Sequence, residues 1–183
     1  MRGLFVILSL FISTASLASK YIEDAYLGGY SVPFIGEVVD SDRKGDFILM
    51  DDAAASYIEL RKAAKAAGFN LILNSAYRST ADQHRMMRQR RRWAAQVGYS
   101  MHQSGRAVDI AGTRVRCRAK RRRLCKSALF AWLQENAPAY GWHNSAPKEP
   151  WHWLFSGTDT QTALKGYGRA LWRGPPGQPN CSR

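Results

Sequence analysis

The chain has 183 residues, 45% of them hydrophobic and 22% charged, which excludes a disordered chain, a collagen and a coiled coil and suits one packed domain. The charge departs from the ordinary: 27 Lys and Arg against 14 Asp and Glu give a net +13, pointing to an anionic partner such as nucleic acid, a membrane surface or a cell-wall polymer. Three cysteines are too few for a disulfide-built mini-scaffold.

In chain order, residues 1–18 read as a secretory signal peptide. Arg2 is a short positive head, Leu4 to Ile12 an apolar run too short for a comfortable membrane span, and Ser16-Leu17-Ala18 a small-x-small cleavage site. The mature chain is expected to start near Ser19, secreted or periplasmic, with no membrane-spanning segment. Residues 19–49 show little periodicity beyond turns at Gly28-Gly29 and Pro33 and a short strand around 34–39. Ala53, Tyr57, Leu60, Ala64 and Ala67 fall on one stripe and predict a helix over 51–67, with Asp51 or Asp52 as its cap and Gly68 as its stop. Phe69 to Asn74 reads as a buried strand.

Ser79-Thr80-Ala81-Asp82 has the capping-box pattern and opens a second, Arg-rich helix over about 80–95. Ala107-Val108-Asp109-Ile110 reads as a strand. Residues 114–126 hold eight Lys/Arg and no acid, an exposed loop or hairpin. Cys117 and Cys125 bracket this basic stretch, and in an exported chain they are expected to pair; zinc ligation there would need further Cys or His nearby, and none stands there. Cys181 is left odd, in a Pro/Gly-rich tail over 174–183. Ser127 caps a third helix over 128–136 with Leu129, Trp132 and Leu133 inward, and Pro138 stops it. Trp151 to Phe155 is a further strand. Helices mixed with short strands, without βαβ alternation, predict an α+β fold: a small antiparallel sheet with helices packed on one side, over 19–173.

Four histidines, His84, His102, His143 and His152, frame the search for chemistry. His102 stands seven residues before Asp109 with Gly105 between, and His152 three residues after Glu149. Two His and one carboxylate leave a fourth position of Zn²⁺ open to water, the catalytic type of site, with a second carboxylate spare as a base. Spacing alone is compatible with ordinary structural histidines. On a strand, an offset of three points to opposite faces, so Glu149 must sit in a loop bent at Pro150 while His152 lies on the strand proper. His102 and Asp109 need the turn at Gly105 to converge.

Three local patterns occur in order: Tyr77-Arg78-Ser79 with Gln83 (Y-R-S-x-x-x-Q), Ser100 to Asp109 (S-x-H-x-x-G-x-A-x-D) and Glu149 to His152 (E-x-W-H). Over about residues 50–156 the chain resembles the VanY-type zinc D-alanyl-D-alanine carboxypeptidases, in the wider group that includes lysostaphin-like peptidases and the hedgehog signalling domain. The resemblance implies one Zn²⁺ per chain on His102, Asp109 and His152, with Glu149 as catalytic base and Arg78 as the group that polarises the scissile carbonyl. It implies substrate contacts at Ser79, Gln83 and Ser100, although Ser79 also reads as a helix cap. The substrates it implies are peptidoglycan stem peptides. His143 lacks a Glu three residues before it. Arg106 departs from the small apolar residue common at its position, which puts substrate preference, not the metal, in doubt.

Three readings of other kinds compete. A wall endopeptidase, cutting L-alanyl-D-glutamate or a cross-bridge, would share the zinc machinery. A non-catalytic zinc domain binding wall or protein would leave Glu149 without a task. A nucleic-acid binder would leave the whole His/Asp/Glu set unexplained. The basic runs are therefore expected to meet an anionic wall surface rather than nucleic acid, and the protein to act as a monomer.

Overall fold

The computed structural model describes residues 18–42, 45–89, 94–116, 124–146 and 148–157; the signal-peptide segment, the tail and Cys117 fall outside these. Residues 19–50 fold into β1 (Ser19–Ile22), β2 (Tyr26–Leu27), β3 (Tyr30–Ser31), β4 (Phe34–Asp42) and β5 (Gly45–Met50). They form an antiparallel sheet ordered β1-β4-β5 and a small β2-β3 hairpin. The strand expected around 34–39 falls within β4, but the sequence shows little further periodicity because both faces of β4 are partly covered; Val38 and Asp40 also flank a register shift.

Helix α1 (Asp51–Ala66) buries Ala53, Ala54, Tyr57, Leu60 and Ala64. Neither Asp51 nor Asp52 caps it as expected. Met50 holds the cap position with no side-chain bond, and the two carboxylates lie inside the first turn, where negative charge still complements the helix dipole. Gly68 ends the helix at φ +82°, donating to the Lys65 carbonyl, and Ala67 beyond the last turn is exposed. The strand expected over 69–74 shrinks to β6 (Leu73–Ser75). It is half-buried rather than buried, since Leu71 and Leu73 face inward while Ile72 is exposed. Helix α2 (Thr80–Gln89) follows, then a 3-10 turn, Met101–Ser104.

The central sheet runs β10 (Trp142–His143), β11 (His152–Phe155), β7 (Ala107–Ile110), β6, all antiparallel. Period-2 alternation divides its side chains. Leu73, Val108, Ile110, Trp142, Trp153 and Phe155 point into the core with α1 and with Leu129, Phe130 and Leu133 of α3 (Ala128–Asn136). Ring pairs at 5.3–6.0 Å tie the layers together: Trp142 with Phe155 and Tyr57, and Phe130 with Trp153. Ser127 caps α3, accepting from the Phe130 amide, and Pro138 lies in a following 3-10 turn. The basic segment is a hairpin, β8 (Arg114–Arg116) with β9 (Leu124–Lys126). The architecture is α+β, with α1 and α3 on one side of the central sheet and the other side free for a site.

Candidate functional site

On that open face, Ser75, Asp109 and His152 stand on one rung across β6, β7 and β11. Leu73 pairs with core-facing Ile110 and Ser75 with Asp109, so two steps along β6 match only one along β7. This irregularity turns Ser75 toward Asp109 while leaving Leu73 in the core.

His102 arrives from the 3-10 turn. Gly105 closes that turn at φ +69° and its amide donates to the His102 carbonyl. A Cβ at Gly105 would stand 2.5 Å from the Phe34 ring and 3.0 Å from the Met50 amide nitrogen, so only glycine fits. The buried His102 ring donates from Nδ1 to the Ala76 carbonyl at 2.8 Å. That bond fixes the tautomer and leaves Nε2 as a free acceptor.

Three potential ligand atoms converge within 4.8 Å of one another, one each from His102, Asp109 and His152. Asp109 Oδ1 lies 3.4 Å from His102 Nε2 and 3.1 Å from His152 Nδ1; the two imidazole rings are 5.0 Å apart. Burial lowers the His102 pKa, which keeps the ring neutral despite the carboxylate beside it. Burial works against ionisation of Asp109, but the close approach of the His102 and His152 imidazoles outweighs it and holds the carboxyl below the usual range. A neutral imidazole with its lone pair directed inward and a permanently ionised carboxylate are what a divalent cation requires of its donors. The residues fit a metal.

Arg78 is largely buried beside this cluster, its Nη2 4.0 Å from Asp109 Oδ2. Its guanidinium donates to Gln83 Oε1 at 3.0 Å and to Ser75 Oγ at 3.2 Å. Its backbone amide donates to the His102 carbonyl at 3.0 Å. Burial lowers its pKa somewhat, yet a guanidinium stays charged.

Gln83 is fully buried, not a solvated helix residue. While accepting from Arg78 it donates to the Ala95 carbonyl at 2.7 Å. Ser79 is engaged as a helix cap: its hydroxyl donates to Asp82 Oδ2 and accepts from the Asp82 amide. Ser100 precedes the 3-10 turn, buried, with no side-chain cap bond. Glu149 sits in the turn before β11, where its carbonyl accepts from the His152 amide and from Asn144 Nδ2. Among the described residues no side chain pairs with its carboxylate. Glu149 is thus in a loop and His152 on the strand, as the offset of three demands.

His143 lies on β10 opposite Leu154, outside the ligand cluster. His84 is exposed on α2. Arg106 points away from the site, pairing with Asp52 at 3.1 Å and covering the Phe155 ring. Asn144, which also donates to the His152 carbonyl at 2.8 Å, went unmarked in sequence, as did Ser75 and fully buried Gln103, which accepts from the Gly98 amide. An Asn five residues before Glu149 in a Pro-rich loop was the only available hint; Ser75 meets Asp109 across strands, and Gln103 meets Gly98 through the folding of its own loop.

An aspartate and a histidine on the sheet and a second histidine from the adjoining 3-10 turn, beside a buried arginine, bring three potential metal-ligand atoms together. Residues 47–158, more than half of the chain, match the VanY family model, described as D-alanyl-D-alanine carboxypeptidase, and the chain belongs to that family. A curated D-alanyl-D-alanine carboxypeptidase of Enterococcus faecalis is 26% identical over 141 residues, 62% of this chain and 50% of the relative. The chain thus spans about half the length of that protein. Among solved structures, a mutant of the vancomycin-resistance D,D-pentapeptidase VanY in complex with Zn(II) shares the fold at TM-score 0.53 and 24% identity, over 70% of this chain and 84% of that one. The LD-carboxypeptidase LdcB does so at TM-score 0.53 and 24% identity, over 85% and 75%.

Proposed function

We propose that the chain is an exported zinc D,D-carboxypeptidase that removes the terminal D-alanine from peptidoglycan stem peptides, with one Zn²⁺ held by His102, Asp109 and His152. The observation that carries this reading is the convergence of those three ligand atoms within 4.8 Å, with the Arg78 guanidinium beside them. Zn²⁺ bound there would supply a Lewis acid and a water acidified to a pKa of about 7. The chain's own residues do the rest. Glu149, whose carboxylate has no side-chain partner among the described residues, takes the proton of the attacking water and returns it to the leaving amine. Arg78, fixed by Ser75 and Gln83, meets the oxyanion that develops on the scissile carbonyl. Asp109 and the two imidazoles hold the ion, and Ser100 lies on the substrate side. The leader over 1–18 directs export, and the basic hairpin favours an anionic wall.

Incubating the purified protein with muropeptides and weighing the products tests the reading. Loss of one D-alanine from pentapeptide stems supports it. Loss of D-alanine from tetrapeptides alone, or cuts inside the stem, would replace it with an L,D-carboxypeptidase or an endopeptidase. No cleavage by a fully metallated chain would leave a binding domain.

A further inference from the structure

The N-terminal arm, residues 19–32, precedes the stretch that matches the family model, yet it touches the loop that carries Arg78. Both Asp24 carboxylate oxygens are used there: Oδ2 accepts from the Thr80 amide at 2.7 Å and Oδ1 from the Thr80 hydroxyl. The Tyr77 hydroxyl donates to the Asp24 backbone carbonyl. Burial foremost, with the Asp24 charge adding to it, pushes that hydroxyl up to about 12, so it remains a donor. Residues on both sides of Arg78 are therefore bound to one arm residue.

The same arm reaches the His102 loop. The Gly29 amide donates to the Gly98 carbonyl at 2.8 Å, and the Gly98 amide to Gln103 Oε1 at 2.8 Å. Helix α2 has little else to hold it. Gln83 is its one buried side chain among the described residues, with Met86 and Met87 half-buried, so it lacks a fully buried apolar stripe and polar tethers help to set its position.

We propose that Asp24 is a positioning residue, which fixes the 77–80 loop so that the Arg78 guanidinium stands beside Asp109. This rests on the reading of Arg78 as the oxyanion-stabilising group. Asp24 itself touches neither substrate nor metal; it acts through Thr80 and Tyr77. A displaced guanidinium loses most of its effect on the transition state while ground-state binding suffers little.

The test uses the full mature chain with Zn²⁺ and a soluble peptide ending in D-alanyl-D-alanine. Asp24→Ala should lower kcat about tenfold with KM and metal content unchanged. Asp24→Asn, which still accepts from the Thr80 amide, should recover most of the loss. In an Arg78→Ala background Asp24→Ala should cost less than about twofold, because the group it positions is gone. A full tenfold loss in that background would overturn the proposal, as would an Asp24→Ala enzyme with wild-type kcat.

Amide hydrogen exchange separates this from the reading of the site. Asp24→Ala should speed exchange in 76–83 while α3 stays protected, and unchanged exchange in 76–83 would overturn the proposal whatever Arg78 does. If Arg78→Ala proves fully active, the reading of the site fails, and the positioning of Arg78 for catalysis fails with it. Should Asp24→Ala not fold, Thr80→Val removes the hydroxyl tie alone and should give a smaller loss of the same kind; wild-type kcat and exchange in that variant would overturn the proposal.

Discussion

Glu149→Gln keeps the size and reach of the side chain and removes only its capacity to take a proton. Because Glu149 is outside the ligand set, the variant should retain zinc and lose about 10²–10⁴ in kcat, read by metal analysis beside peptide turnover. An active variant would remove Glu149 as the base, and one that had lost zinc would make it a ligand. His102→Ala should lose most of the metal and His143→Ala should keep it, since His143 lies off the ligand rung. Arg78→Lys should rescue little of the Arg78→Ala defect. The buried guanidinium is held at two nitrogens, by Gln83 and Ser75, and a single ammonium cannot reproduce that fork. At this scale the sequence was legible wherever chemistry demands fixed residue types at fixed spacing, as at His102, Asp109 and His152. It was silent on Asp24, whose partner Thr80 is 56 residues away and whose carboxylate has no distinguishing neighbours.

Among the elements, the turn at Gly105 bears most directly on the site. Gly105→Ala meets the Phe34 ring and forces a positive φ on an L residue. It should cost about 1–3 kcal/mol of stability and, by moving His102 against Asp109, weaken metal binding; thermal unfolding and metal titration report the two effects separately. Helices α1 and α3 were readable because each buries one stripe against the sheet, so 3.6-residue periodicity survives in the sequence. Strand β6 and the β1-β4-β5 sheet were readable only in part, as the strand over 69–74 that overlaps β6 and the short one around 34–39 within β4. Ser75 reaches the site only through an irregular register that pattern cannot reveal, and β4 is covered in part on both faces.

Over the whole molecule, 13 of the 27 Lys and Arg lie in 85–92 and 114–126, outside the ligand rung. If this charge serves wall attachment, sedimentation with wall should weaken steeply as salt rises, the Debye length falling from about 10 Å at 0.1 M to about 3 Å at 1 M. Turnover of a small soluble peptide should change little, and equal sensitivity of both would unite attachment with catalysis. One link between the two regions is visible: the Arg114 guanidinium lies 4.9 Å over the ring of Trp151, between Glu149 and His152. The proposed Cys117–Cys125 disulfide would close the hairpin tip, and peptide mapping of oxidised protein for the paired cysteines checks it.

The rung that pairs Asp109 with His152 also sets the order in which the centre can assemble. His102 and Asp109 are close in the chain and can approach early, whereas His152 arrives only after a 43-residue excursion through the basic hairpin and α3 has closed. A nascent chain can therefore present at most a two-point grip on an ion, and the third point comes with the docking of β11. An ion held there would lose its third point only if β11 left the sheet, and that strand lies between β10 and β7 with Trp153, Leu154 and Phe155 buried, so its release would be tied to opening of the core rather than to local fraying.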